Sequence, residues 1–88
     1  MEDPAILDFL KKFIEDQLID APGIVIEPGT PLLEWGILNS LATTKLVAFI
    51  REDLGVEVPI DEMVGENFRD LTCITRMVSG LAASYERA

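Results

Sequence analysis

Ser40 is the residue around which chemistry can be argued. It stands in the stretch PLLEWGILNSLATTKLVAFI, residues 31–50, where a Gly-containing apolar loop meets an apolar-periodic run. A serine hydroxyl is a weak nucleophile unless a base lies beside it, and this chain contains no histidine. Lys45, five positions further along a helix, is badly placed to act as that base. Two roles remain open. The hydroxyl can cap a helix by accepting a backbone N–H two or three residues on, or it can receive a group that another protein's base or metal attaches. Cys73 is the single cysteine and has Ile74 beside it, so it reads as a buried or half-buried structural thiol with no partner for a disulfide or a zinc site. No twelve-residue loop alternates acids ahead of a glycine as a calcium-binding loop requires, and no metal is expected.

Those residues must be positioned by a small scaffold. With 88 residues, one domain spanning 1–88 is expected, near the lower size at which a core forms without disulfides or a metal. A hydrophobic fraction of 49% is too high for a disordered chain, and no apolar run approaches the roughly 20 residues of a membrane-spanning helix. The N-terminus MEDPAILDFLKK has neither a basic region nor a small-residue cleavage site, which gives a cytoplasmic expectation. Sixteen acidic residues against seven basic ones give a net charge of −9. That charge repels a phosphate backbone or an anionic membrane and steers the chain towards basic patches on other proteins.

Hydrophobic spacing supplies the elements. Ile6, Phe9, Leu10, Phe13, Ile14 and Leu18 recur every three or four residues, predicting a first helix capped by Asp3 with Pro4 in its first turn. DAPGIVIEPGTP then breaks the pattern with prolines and glycines, as a loop that Ile24, Val25, Ile26, Leu32 and Leu33 pin to the core. A second helix starts at Asn39 or Ser40 and runs to Leu54, where Gly55 stops it, with Leu46, Val47, Ile50 and Leu54 as its stripe. Asp61 opens a short third helix through Glu62, Met63 and Val64 that Gly65 ends. Asp70 caps a last helix from Leu71 to about Ser84, burying Ile74, Met77, Val78 and Leu81, and the tail ERA is expected to fray. Neither IVIEP nor VEVP alternates long enough for a strand. The fold class is therefore all-α, an antiparallel four-helix bundle of three long helices and one short one, expected as a monomer.

A four-helix acidic domain of this size, with GILNSL between a long loop and the second helix, resembles the acyl and peptidyl carrier proteins. The likeness extends through LGVEVP after that helix and NFRDLTCITRMV leading into the last one. By position, it implies that Ser40 is where 4'-phosphopantetheine is attached, that the arm rather than Cys73 supplies the working thiol, and that the chain is a non-enzyme served by a phosphopantetheinyl transferase. Asn39 stands where Asp is commonest in the broad family. PLLEWGILNS with Lys45, FIREDLGV and NFRDLTCITR is similar to the discrete carriers that hold proline for conversion to a pyrrole, in which Asn at that place is ordinary. This narrower resemblance implies a free-standing peptidyl carrier with L-proline as a thioester cargo. Its partners would be an adenylating prolyl-AMP ligase, a flavin-dependent prolyl-carrier dehydrogenase and a downstream acyltransferase. An acyl carrier of a polyketide or fatty-acid pathway, and an unmodified acidic interaction domain in which Ser40 is only a cap, are the competing readings.

The surface offered to those partners comprises Trp35, Leu38, Asn39, Leu41, Thr44, Lys45 and Met63. Leu38 and Leu41 flank the serine, and Leu41 lies off the core stripe, which makes it an exposed contact. Trp35 reads better as a ring packed to anchor the loop. Gly36 is expected to allow close approach to the modified position. Thr43, Thr44, Lys45 and Arg51 precede the acids Glu52 and Asp53, so partners should read apolar shape near Ser40 more than a continuous acidic stripe.

Overall fold

A computed structural model describes residues 2–19 and 23–87; Asp20, Ala21 and Pro22 of the expected loop, and Ala88 of the expected frayed tail, lie outside the described residues. Helix α1 covers Asp3–Phe13. Asp3 is not its cap. Glu2 holds the N-cap position without a side-chain hydrogen bond, while the Asp3 carboxylate accepts the Ser79 hydroxyl at 2.6 Å. The apolar stripe runs on past Phe13, but the backbone widens into a π-helical turn over Ile14–Leu18, closed by the Ile19 N–H on the Ile14 carbonyl at 3.0 Å. Ile6, Leu10 and Ile14 are fully buried, whereas Phe9, at the stripe's edge, is half exposed.

The following loop carries fewer anchors than its composition suggests. Ile26 and Leu32 enter the core, while Ile24, Val25 and Leu33 stay exposed. Ile26 is turned inward by a specific device, its N–H donating to the Glu15 carboxylate at 2.8 Å. Further on, the Leu32 N–H reaches the Arg69 carbonyl at 2.9 Å and the Thr72 N–H reaches the Pro28 carbonyl at 3.2 Å. These two bonds fasten the loop to the start of the last helix.

Helix α2 spans Ser40–Asp53. Its stripe of Leu46 and Ile50 is fully buried, with Val47 and Leu54 half-buried against it. Gly55 stops it in the left-handed region at φ 69°, as a C-terminal glycine should. The expected short third helix is instead two separate 3-10 turns, Ile60–Glu62 and Gly65–Phe68. Val64 between them is extended at φ −117° and ψ 152°, a conformation that suits its β-branched side chain and interrupts a helix. Gly65 thus opens the second turn rather than closing the first. The Asn67 amide ties the two together by donating to the Glu62 carbonyl at 2.7 Å and to its carboxylate at 3.0 Å.

Helix α3 covers Leu71–Arg87, continuing past Ser84. Asp70 caps it, accepting the Cys73 N–H at 2.8 Å. Burial by itself would raise the Asp70 pKa; hydrogen bonds from the Cys73 N–H and thiol, with the charges of Arg69 and Arg76, outweigh it and bring the carboxyl below its ordinary value. Leu71, Ile74, Met77 and Val78 are buried and Leu81 packs at the margin. Ser79 lies against Asp3, while Leu7 and Asp8 face Thr72 and Thr75, so α1 and α3 run antiparallel. Phe13 and Phe49 stack with centroids 4.2 Å apart, joining α1 to α2. The described residues contain three α-helices and no strand, and none of these helices is long and apolar enough to cross a membrane.

Candidate functional site

Ser40 is the first residue of α2, and the residue before it decides what its hydroxyl can do. Asn39 has extended backbone at φ −101° and ψ −174°, and its side chain accepts the Ala42 N–H at 2.8 Å. Asn39 is therefore the cap, and the capping role read for Ser40 is overturned. Among the described residues nothing hydrogen-bonds the Ser40 hydroxyl, and the residue is exposed. The Ser40 carbonyl is held instead, by the Thr44 hydroxyl at 2.9 Å. The first turn of α2 contains no acid. Its leading N–H groups and positive dipole end favour an anion, so a phosphodiester on the hydroxyl fits the local field.

The turn leading into Asn39 explains Gly36. Residues 31–36 wind through one turn, with the Trp35 N–H on the Pro31 carbonyl and the Gly36 N–H on the Leu33 carbonyl at 3.0 and 3.1 Å. The N–H groups of Ile37 and Leu38 then both fold back to the Leu32 carbonyl. Gly36 reverses the chain at φ 73°, a region costly for residues with a Cβ. A Cβ there would meet nothing within 4 Å, so the glycine is required by backbone conformation and not, as expected, by close approach.

The expected contact residues separate by burial. Leu38 is 3% exposed and belongs to the core, which removes it from any partner-facing surface. Leu41 is 65% exposed and Trp35 67%, so the tryptophan is no loop anchor. Asn39, Thr44, Lys45 and Met63 are exposed as well. Beyond this set, the structure exposes Leu33, Ile60 and Val64. Leu33 lies over Gly65, 3.7 Å from where a Cβ would stand, which brings the 31–36 turn beside Val64. The signal for these residues was their position in loops, where an apolar side chain has no periodic face to hide on. Cys73 is half-buried, with an Arg69 guanidinium nitrogen 3.7 Å from its sulfur. It lies at the start of α3.

A family model described as the phosphopantetheine attachment site matches residues 9–72, taking in the loop, the Ser40 turn, α2 and the start of α3. The chain belongs to that family. It is a carrier protein that carries a covalently attached 4'-phosphopantetheine, and carriers of this kind work with a phosphopantetheinyl transferase and further enzymes. The carrier is also similar to a chain in a structure described as "Crystal structure of FAD-dependent dehydrogenase", at 33% identity and a TM-score of 0.75, over 80% of this chain and 99% of that one. No curated protein matches significantly.

Proposed function

We propose that Ser40 is the attachment residue and that the carrier is a peptidyl carrier of an amino acid, L-proline, which is oxidised in place to the pyrrole-2-carboxyl group. The observation that supports the attachment is the division of labour at the start of α2. Asn39 closes the helix end, and the next hydroxyl is left exposed and unbonded at the positive end of α2. A transferase can supply the base and metal that the chain lacks, joining the coenzyme A phosphate to Ser40 Oγ with release of the adenosine 3',5'-bisphosphate half. The arm's terminal thiol then holds the cargo as a thioester. The protein contributes position: a tethered cargo meets each enzyme at the local concentration that its tether sets.

The proline cargo rests on the sequence resemblance, and the solved-structure comparison is compatible with a flavin-dependent oxidation of a carrier-bound cargo. Four-fifths of this chain fills almost all of that one, whose length of about 70 residues is well short of a two-half dinucleotide-binding fold. A carrier-sized chain, one-third identical to this one, thus accompanies an FAD-dependent dehydrogenase description. On this reading the partners here are an adenylating prolyl-AMP ligase, a flavin-dependent dehydrogenase acting on the tethered ring and an acyltransferase downstream. The test is a loading panel. The phosphopantetheinylated carrier is offered each proteinogenic amino acid with candidate ligases, then a flavin dehydrogenase, and followed by intact mass. Proline should load preferentially, and the loaded mass should then fall by the hydrogens that separate a pyrrolidine from a pyrrole. Preferential loading of fatty or malonyl-type acyl groups would overturn the cargo and leave the carrier assignment standing.

A further inference from the structure

The distribution of charge around Ser40 runs against that of the whole chain. Sixteen acids give the protein its net charge of −9, yet between Glu34 and Glu52 the sequence has no acid and two cations, Lys45 and Arg51. That segment forms the end of the turn leading to Ser40 and almost the whole of α2. Lys45 and Arg51 are both exposed, and neither is in an ion pair among the described residues. Lys45 follows Leu41 by four residues, so the two are neighbours on one face of the helix, and Leu41 is itself exposed directly after Ser40. Trp35 is exposed on the preceding turn, and Leu33 on that turn lies over Gly65, beside the exposed Val64. Glu62, two residues before Val64, has its carboxylate engaged by the Asn67 amide. The surface next to Ser40 is thus apolar with a cationic edge. A basic patch on a partner, which the net charge attracts from a distance, meets like charge at this face, and such a juxtaposition opposes docking.

We infer that this face docks the enzyme that oxidises the tethered cargo, and that the enzyme meets Lys45 with a carboxylate beside an apolar hollow for Leu41 and Trp35. The inference rests on the flavin-dependent dehydrogenase proposed above and adds the chemistry by which that enzyme recognises the carrier. A chain of carrier size, one-third identical to this one, occurs under a dehydrogenase description, which favours this occupant over the ligase and the acyltransferase. Tryptophan is among the side chains that most often dominate an interface, and Leu41 extends the apolar contact to the foot of the arm. Lys45 then fixes the register, since a charged pair at the rim contributes more to orientation and encounter rate than to final affinity.

The test is steady-state oxidation, by the flavin-dependent dehydrogenase, of intact carrier already phosphopantetheinylated and loaded with proline, read as the fall in loaded mass at varied carrier concentration. Lys45→Gln should lower kcat/KM about two- to fivefold, the scale of one exposed ion pair, chiefly through KM. Lys45→Glu should lower it further, and Lys45→Arg should keep most of it. Added salt should bring the parent and Lys45→Gln together, because an exposed pair is screened. Trp35→Ala should lower kcat/KM at least about fivefold, as loss of an interface anchor does, while Glu52→Gln should leave it unchanged. The inference is overturned if Lys45→Glu is oxidised as well as the parent or better, the second result pointing to a basic partner surface. It is equally overturned if Glu52→Gln is as slow as Lys45→Gln, or if the loss falls on kcat with KM unchanged. A parent that carries proline and is not oxidised overturns the dehydrogenase reading and this inference together, whereas a normally oxidised parent with an indifferent Lys45→Glu overturns this inference alone.

Discussion

Replacing Asn39 by alanine removes the side-chain oxygen that accepts the Ala42 N–H at 2.8 Å. An N-cap loss of this kind costs about 0.5–2 kcal/mol. Ala42 is 8% exposed, so water replaces the lost acceptor poorly and the upper half of that range, about 1–2 kcal/mol, is expected. For a domain of this size each kcal/mol moves the melting temperature by about 4–8 °C, giving a fall of about 4–16 °C. Ser40→Ala loses no hydrogen bond from its hydroxyl and introduces a better helix former, so its stability should stay within about 0.5 kcal/mol of the parent. Asn39→Asp keeps a capping oxygen and places negative charge at the positive end of α2, so it should melt at or above the parent. Thermal and urea unfolding followed by far-UV circular dichroism decide the matter. If Ser40→Ala proves as costly as Asn39→Ala, the serine hydroxyl is itself structural, and the reasoning that leaves it free for modification fails.

Three other outcomes follow from the fold. Gly36→Ala should lose about 1–2 kcal/mol from its left-handed backbone alone, since the added methyl meets no atom, and the same urea titration measures it. The Asp70 carboxyl has a pKa held below the ordinary 3.8 in the folded chain, so its contribution is full above that value and fades as the pH falls through the folded one. The stability difference between the parent and Asp70→Asn should accordingly be flat at neutral pH and shrink below about 3.8 in acid unfolding curves. A double-mutant cycle of Phe13→Leu and Phe49→Leu should return a coupling of about 0.5–1.5 kcal/mol for the stacked rings; a coupling near zero would mean that the pair contributes only buried area.

The parts of the fold that depend on neighbouring residues were legible in the sequence. Gly55, Asp70 and the stripes of α2 and α3 are local signals, and each performs as its type suggests. What was not legible depended on distant chain. Asp3 gave up capping because Ser79, 76 positions away, occupies its carboxylate. Three of the five expected loop anchors failed because Glu15 and Arg69 fasten the N–H groups of Ile26 and Leu32 and leave Ile24, Val25 and Leu33 outside. Between the two 3-10 turns the extended backbone of Val64 decided against a continuous helix, which hydrophobic spacing over so short a segment could not show. At the candidate site, Asn39 and Ser40 are both good cap types, and periodicity could not choose between them. The choice came from backbone direction: extended Asn39 turns Leu38 inward to the core and leaves Leu41, one turn on, facing out.

The most direct measurement is peptide mapping after the intact chain is incubated with coenzyme A, Mg²⁺ and a broad-specificity phosphopantetheinyl transferase. A single phosphopantetheine increment on the peptide containing Ser40, lost in Ser40→Ala and kept in Cys73→Ala, is the predicted result. A folded chain that takes no increment, or takes it on another residue, contradicts the account.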